Sequence, residues 1–320
     1  MTFLRVLACV ALALAVPAMA ADPYPSKPIR MIVGFPPGGA VDVIARTLGQ
    51  QLSTDLKQAV VIENKPGAGT NIAVRALIES PPDGYTLMLT ANSLAANMAL
   101  YKPQPFDAER DVVPVALVGR VPVVIATNAS SEFRTLASLV QAAKAKPGTI
   151  NYASPGNGST PHLAMELFAR AAGIELTHVP YKGGAPAITD VLGGQLPLVA
   201  VNALEVVPHV KAGKLRVLAS MSAKRPSFLP DTPTIAESGY PGFEASVWYG
   251  VIAPKGTPAG VIAKLAAAVQ KALASSEVQG RLSAVGGEVT YGNPQQFGAL
   301  IHSERVRYDK LIREANIRPD

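Results

Sequence analysis

Four glycine-rich segments, each between a predicted strand and a predicted helix, are the parts of this sequence best suited to bind a small molecule. In each, glycines precede Ser, Thr, Asn or Pro at a helix start: residues 35–39, 67–71, 156–162 and 181–186. Glycine permits close backbone approach and positive φ, and a helix start presents unpaired N–H donors and a partial positive charge. Such segments can therefore hold an anionic group without a basic side chain.

Each segment also has an ordinary structural interpretation, because a hydroxyl or amide commonly caps a helix. Four in one chain favour a binding site, since such loops meet at the carboxyl ends of the strands in open α/β sheets. In the third segment, Thr160 and Pro161 fit the cap and first-turn positions, which leaves the Ser159 hydroxyl free for a ligand. In the second, Thr70 is a suitable cap and Asn71 adds an amide donor.

Three titratable side chains in or near these segments each have two interpretations. Asp42 pairs with Arg46 four residues later, the usual structural pattern, whereas an Asp42 that faced a ligand would suit an ammonium group. Lys182 either contacts an anion or points to solvent. His162 near Ser159 makes a secreted serine hydrolase an alternative, although the Gly-x-Ser-x-Gly elbow is missing and no neighbouring acid orients the imidazole.

The composition argues against several other kinds of site. The only cysteine, Cys9, lies in an N-terminal segment that we expect to be removed, which leaves no thiol for a disulfide, a metal or a nucleophile. The four histidines show no metal-ligand spacing, so we expect no metal and no cofactor. The net charge of +6 comes from scattered Lys and Arg, which argues against nucleic-acid binding.

The N-terminal segment has the pattern of a secretory signal peptide. Arg5 precedes an uncharged run at residues 6–16, and Ala18 and Ala20 form a small-x-small cleavage pattern. The run is shorter than the roughly 20 apolar residues of a membrane-spanning helix. We therefore predict that residues 1–20 are cleaved and that the mature protein is periplasmic, without direct membrane insertion.

The elements that position the four segments predict an α/β fold. From residue 28, short β-branched runs alternate with amphipathic helices, which indicates mainly parallel sheets flanked by helices. Apolar segments near residues 112–127 and 245–253 interrupt this series and suggest that the chain leaves one lobe and later returns to it. The pattern predicts lobe 1 from residues 21–122 and 250–320, lobe 2 from residues 123–249, and hinges near residues 121–123 and 246–249.

Seven motifs, in their order and spacing, resemble those of a known family. They are GGAVD at 38–42, NKPGAG at 64–69, DGYTL at 83–87, SPGNGSTPH at 154–162, PYKGG at 180–184, DVLGGQ at 190–195 and KAGKLR at 211–216. Over essentially the whole mature chain, the sequence resembles the Bug-type family, the extracytoplasmic substrate-binding proteins of tripartite tricarboxylate transporters.

The resemblance implies a two-lobed periplasmic-binding-protein fold that closes like a flytrap on a small carboxylate, without enzymatic activity, and delivers it to a tripartite tricarboxylate transporter. A receptor subunit that presents its ligand to a sensor kinase would have the same fold, and a monomer suits a diffusing carrier. The ligand stays open among mono-, di- and tricarboxylates, amino acids and aromatic acids. Carried over to this sequence, the implied ligand contacts are Phe35, Pro37, Gly38, Gly39, Gly69, Thr70, Asn71, Ser154, Gly156, Asn157, Gly158, Ser159, Thr160, Tyr181, Gly183, Gly184 and Asn202.

Overall fold

Two β-sheets organise the chain. The computed structural model describes residues 24–38, 40–284 and 287–319, so the predicted signal peptide and Gly39 lie outside the described residues. Within these ranges, no helix combines the length and apolar character needed to cross a membrane.

The first lobe is built from two separate parts of the chain. Its six-stranded sheet has the order β11-β4-β10-β3-β1-β2. The N-terminal part contains β1 (Ile29–Val33), α1 (Ala40–Leu56), β2 (Val60–Asn64), a 3₁₀ turn (Ala68–Thr70), α2 (Asn71–Ile78), β3 (Thr86–Ala91), α3 (Ser93–Leu100), α4 (Ala108–Asp111) and β4 (Val112–Val121). The C-terminal part contains β10 (Val247–Pro254), α9 (Ala259–Leu273), α10 (Ser276–Ala284), β11 (Glu288–Gly292) and α11 (Pro294–Glu314).

The second lobe is formed by the intervening chain. Its five-stranded sheet has the order β7-β6-β8-β5-β9. Its elements are β5 (Val123–Asn128), α5 (Leu136–Ala145), β6 (Asn151–Ser154), α6 (Thr160–Ala172), β7 (Thr177–Pro180), α7 (Gly184–Leu192), β8 (Leu198–Asn202), α8 (Ala203–Lys211) and β9 (Leu215–Ser220).

Burial patterns explain why these segments fold as they do. Every residue of β3 is buried, as expected for an apolar run in the middle of a sheet. In α1, one stripe of the helix is buried at helical spacing and consists of Val41, Ile44, Leu48 and Leu52. These stripes hold the helices on the sheets and so fix where the strand-to-helix loops emerge.

Each sheet contains one parallel unit of three strands, β3-β1-β2 in the first lobe and β7-β6-β8 in the second. The other strands pair antiparallel. The α/β fold class is therefore confirmed, but the sheets are mixed rather than mainly parallel. The difference arises at the crossings, because the strands that carry the chain between lobes, β4, β5 and β10, join their sheets in the antiparallel sense.

The chain crosses between the sheets at Pro122 and again between β9 and β10. The second crossing ends before Val247, because residues 247–249, which the sequence analysis gave to the second lobe, pair with β4 in the first sheet. The lobes also pack on each other away from the crossings. Leu163 of α6 joins a hydrophobic cluster of the first lobe, and Arg170 forms an ion pair with Glu314.

Candidate ligand-binding site

A cavity of about 660 Å³ lies between the two lobes. It is lined by residues that follow the carboxyl ends of β1, β2 and β3 in the first lobe and of β6 and β8 in the second. This is where ligands bind in open α/β sheets, because the strand-to-helix loops meet there. The predicted contacts that line it are Phe35, Pro37, Gly69, Thr70, Gly156, Asn157, Gly158, Ser159, Thr160 and Asn202.

A second, slightly larger cavity of about 750 Å³ lies beside α6, α11 and residues 239–246. Its two guanidinium groups are already engaged within the protein. Arg120 bonds the Glu244 carboxylate at 2.7 Å, and Arg307 donates to the Glu244 carbonyl oxygen at 2.7 Å. Because none of its lining residues belongs to a strand-to-helix loop of a parallel unit, we assign the site to the interlobe cavity despite the difference in volume.

Asp42, in the first turn of α1, holds the end of the β1–α1 loop, which is described from residue 34 to residue 38. The Asp42 carboxylate accepts hydrogen bonds from Gly38 N at 2.9 Å, Arg46 Nε at 2.8 Å and Asn64 Nδ2 at 2.9 Å. Burial acts to raise the pKa of Asp42, but these three bonds outweigh it and hold the pKa below its ordinary value. Asp42 does not line the cavity, so of its two interpretations the structure favours the structural one. Gly38 also lies off the cavity wall.

The β2–α2 loop, residues 65–70, has an unusual backbone. Gly67, Ala68, Gly69 and Thr70 have φ values of 128°, 46°, 60° and 84°. Positive φ is costly for Ala and Thr, and strain of this kind concentrates at binding sites. Thr70 occupies the cap position of α2, but its hydroxyl donates to Ser93 Oγ at 3.0 Å instead of capping the helix.

Helix α3 forms a third part of the first-lobe wall that the sequence analysis missed. Asn92, Ser93, Asn97 and Tyr101 line the cavity. Asn97 Nδ2 also donates at 2.7 Å to both the Gly69 carbonyl and the Asn71 side-chain oxygen. Asn71 is therefore engaged within the lobe and does not line the cavity. The polar pair Asn92 and Ser93 directly after the buried strand β3 was visible in the sequence. The segment contains no glycine, however, and glycine was the feature that marked the predicted loops.

The β6–α6 loop, residues 155–159, forms much of the second-lobe wall. The expectation that Thr160 caps α6 was wrong, because Ser159 is the cap and its hydroxyl accepts from His162 N at 3.4 Å. The helix begins one residue earlier than the Thr-Pro pattern suggested, with Thr160 and Pro161 in its first turn. Gly158 has φ 70°, and a methyl group there would lie 2.4 Å from Leu100 of α3. The loop thus packs directly against the first lobe.

Ser154 and His162 do not line the cavity. Instead, both side chains bond main-chain N–H groups of this loop. Ser154 Oγ accepts from Gly156 N at 3.1 Å and bonds His178 Nε2 at 2.6 Å. His162 Nδ1 accepts from Gly158 N at 3.0 Å, and its ring stacks on His178 with centroids 3.8 Å apart. Burial first, and the neighbouring His178 second, lower the pKa of His162 to about 3.

The β7–α7 loop, residues 181–183, is not part of the cavity wall. Tyr181 donates to Asp190, Lys182 is exposed, and neither lines the cavity; nor do Gly183 and Gly184. The carboxylate of Glu205, from α8, lies against Gly184 instead, so close that a methyl group there would be 1.7 Å from Glu205 Oε2. Sequence reasoning missed Glu205, which itself lines the cavity.

The wall is almost free of charge. Among the lining residues that the structure describes, none is Lys, Arg or His, and Glu205 is the one carboxylic acid. Burial raises the pKa of Glu205 despite hydrogen bonds from Asn202 that act to lower it. Burial, followed by the charge of Glu205, raises the pKa of Tyr249, which also lines the cavity. A bound anion would therefore depend on main-chain amides, amide and hydroxyl side chains, and helix starts.

The amino-acid sequence matches one family over most of its length. The model of the tripartite tricarboxylate transporter family receptor matches residues 44–317. Protein BugT of Bordetella pertussis is 40% identical over 320 residues, which cover 98% of each chain.

Solved structures also resemble this chain over most of its length. Rpa4515 of R. palustris, solved with adipate, has a TM-score of 0.80 and 34% identity, and the match covers 93% of this chain and 100% of that one. MatC (Rpa3494) of Rhodopseudomonas palustris, solved with bound malate, has a TM-score of 0.77 and 30% identity, with 90% and 100% covered. The resemblance inferred from the loop motifs is confirmed, and the chain belongs to the tripartite tricarboxylate transporter family of solute-binding receptors.

Proposed function

We propose that this protein binds one small carboxylate in the interlobe cavity, in the periplasm, and delivers it to the membrane subunits of a tripartite tricarboxylate transporter. The observation that carries the proposal is the convergence of the β1–α1, β2–α2 and β6–α6 loops on one cavity without a basic side chain among the described lining residues. The relatives solved with adipate and malate support a carboxylate as the ligand class.

Binding by these loops would follow from the two-lobed arrangement. A carboxylate that enters the open cleft meets amides and polar side chains of one lobe, and closure about the crossings at Pro122 and between β9 and β10 adds those of the other. The ligand stabilises the closed shape only through contacts that the open shape lacks. Such amides also give selectivity, because a neutral analogue leaves buried donors and acceptors poorly paired.

The test is binding to protein freed of co-purified ligand by unfolding and refolding. Thermal unfolding and calorimetry should show that at least one acid from a broad panel raises the melting temperature, by an amount set by its concentration relative to Kd. The matched primary amide of the same acid should give little or no shift. A panel without any shift, or amides that bind as well as acids, would overturn the proposal.

The proposal also includes delivery of the bound ligand to a transporter. Closure changes the joint surface of the two lobes, and we expect membrane subunits to recognise that closed surface. Capture from membranes by ligand-loaded protein should recover transporter subunits, and ligand-free protein should recover less. Recovery of a sensor kinase instead would support the alternative receptor role.

The proposed role is binding without turnover. The His162 imidazole contacts Gly158 N and His178, while the Ser159 hydroxyl caps α6, so the two groups do not form the hydrogen bond of a nucleophile and its base. Model esters should therefore remain intact. Ester hydrolysis that Ser159→Ala abolishes would favour a hydrolase.

A further inference from the structure

Glu205 lies against the start of α7, which belongs to the one predicted glycine-rich segment of the four whose described residues do not line the cavity. Its Oε2 lies against Gly184, the first residue of α7. A helix start favours a negative group. A carboxylate of the protein thus lies beside this helix start.

Asn202 completes a polar patch beside Glu205. Its Nδ2 donates to Glu205 Oε1 at 3.2 Å, and its Oδ1 is shielded from solvent without a hydrogen-bond partner. Asn202 is held at the crossing because it pairs with Val123, and the next residue donates from Ala203 N to Pro122 O at 2.8 Å. A buried acceptor without a partner is costly, so a donor group of a ligand in the cavity would stabilise Asn202 Oδ1.

We propose that Asn202 Oδ1 and the Glu205 carboxylate form an acceptor subsite that selects carboxylates carrying an amino or hydroxyl group. This inference rests on the proposed function: the ligand carboxylate contacts the glycine loops, and its donor group contacts the acceptor subsite. An ammonium group gains the most, because it meets a carboxylate as well as an amide oxygen. A second ligand carboxylate at this position would be repelled by Glu205.

The experiment compares acids that differ only in the donor group. The probes are L-alanine, L-lactate and propionate on a three-carbon skeleton, and L-aspartate, L-malate and succinate on a four-carbon skeleton. On any skeleton that binds, calorimetry should rank the amino acid above the hydroxy acid and the hydroxy acid above the unsubstituted acid. The expected span is roughly 10- to 100-fold in Kd, the size expected for a charge-assisted hydrogen bond.

Two variants show whether Glu205 is responsible. Glu205→Gln should reduce the preference for the amino acid over the unsubstituted acid by about tenfold, because the charge is lost while the shape is kept. Glu175→Gln, a control in the same lobe, removes the same charge at an exposed residue off the cavity wall and should leave the ranking unchanged.

The outcomes separate the two proposals. If unsubstituted acids bind as tightly as their amino and hydroxy counterparts, the acceptor subsite is wrong while carboxylate binding stands. An unchanged ranking in Glu205→Gln would also overturn it. Should no carboxylate bind at all, both proposals fail. The wild-type ranking is decisive even if Glu205→Gln does not fold.

Discussion

The β6–α6 and β7–α7 loops have the same construction but different surroundings. Both follow parallel strands of the second sheet, both contain glycine at positive φ, and both open a helix. The first faces the interlobe cavity, whereas Glu205 lies against the start of the second. The comparison shows that a glycine-opened helix start can face the cavity or be covered by a carboxylate of the protein, and we propose only the first kind as a ligand contact.

Of the variants proposed, Gly184→Ala should have the largest effect on stability and binding, because it displaces the Glu205 carboxylate that distinguishes the two loops. The added methyl group overlaps the Glu205 carboxylate, which must move off α7 and into the cavity. We expect a loss of about 1–2 kcal/mol in the free energy of unfolding and weaker carboxylate binding. Urea unfolding and calorimetry measure the two effects.

Gly260→Ala is the matched control, since Gly260 also lies in the first turn of a helix but has no atom near the added methyl group. Removing the overlap by adding Glu205→Ala should make the double variant no less stable than Glu205→Ala alone. If Gly184→Ala behaves like Gly260→Ala, Glu205 does not occupy this helix start.

Gly158→Ala tests the loop that does face the cavity. Positive φ and the overlap with Leu100 both oppose the contact between this loop and α3. We expect carboxylate affinity to fall by about tenfold, roughly 1.4 kcal/mol. Gly148→Ala has the same φ of 70° in open space and should leave affinity unchanged. Failure of Leu100→Ala to restore part of the loss would argue against the overlap.

Ser159→Ala and Thr160→Ala distinguish the observed cap from the expected one. Ser159 accepts from His162 N, so its loss should lower the free energy of unfolding by about 0.5–1 kcal/mol. Thr160 lies inside the helix, and its replacement should change stability less. Chemical denaturation of both variants decides the matter, and a larger effect at Thr160 would contradict the assignment.

The pH dependence of stability provides the smallest effect. His162 stays neutral in the folded protein because burial and His178 lower its pKa to about 3. The unfolded chain takes up this proton below about pH 6.5, so stability is lost progressively as the pH falls from there toward 3. His162→Gln should lose less stability than wild type between pH 7 and pH 5. His302→Gln, at an exposed histidine, should not reduce this loss.

The sequence predicted the parts of the site that carry a local signal. Glycines at strand ends marked three loops, including Gly69 and Gly158, because positive φ restricts the residue type. Helix α3 was not predicted to be part of the site, because Asn92 and Ser93 follow β3 directly and no glycine marks this junction. The alternation of strands and helices gave the fold class, but the crossing strands look alike whether they pair parallel or antiparallel.

Glu205 shows why some residues of the site could not be predicted from the sequence. An acidic residue in the first turn of a helix is a common partner of that helix's own dipole. Its position against Gly184 depends on how α7 and α8 pack beside β8, a contact between residues 21 positions apart. Asp42 was the opposite case, since its pairing with Arg46 at helical spacing was visible in the sequence.

A crystal structure of the protein with a bound carboxylate would show directly where the ligand lies. We predict that the ligand carboxylate lies in the interlobe cavity and far from any Arg or Lys. Its oxygens should be held by main-chain amides of the β1–α1, β2–α2 and β6–α6 loops, directly or through one water. A carboxylate bound to the guanidinium groups of Arg120 and Arg307 in the second cavity, with the interlobe cavity empty, would contradict this prediction.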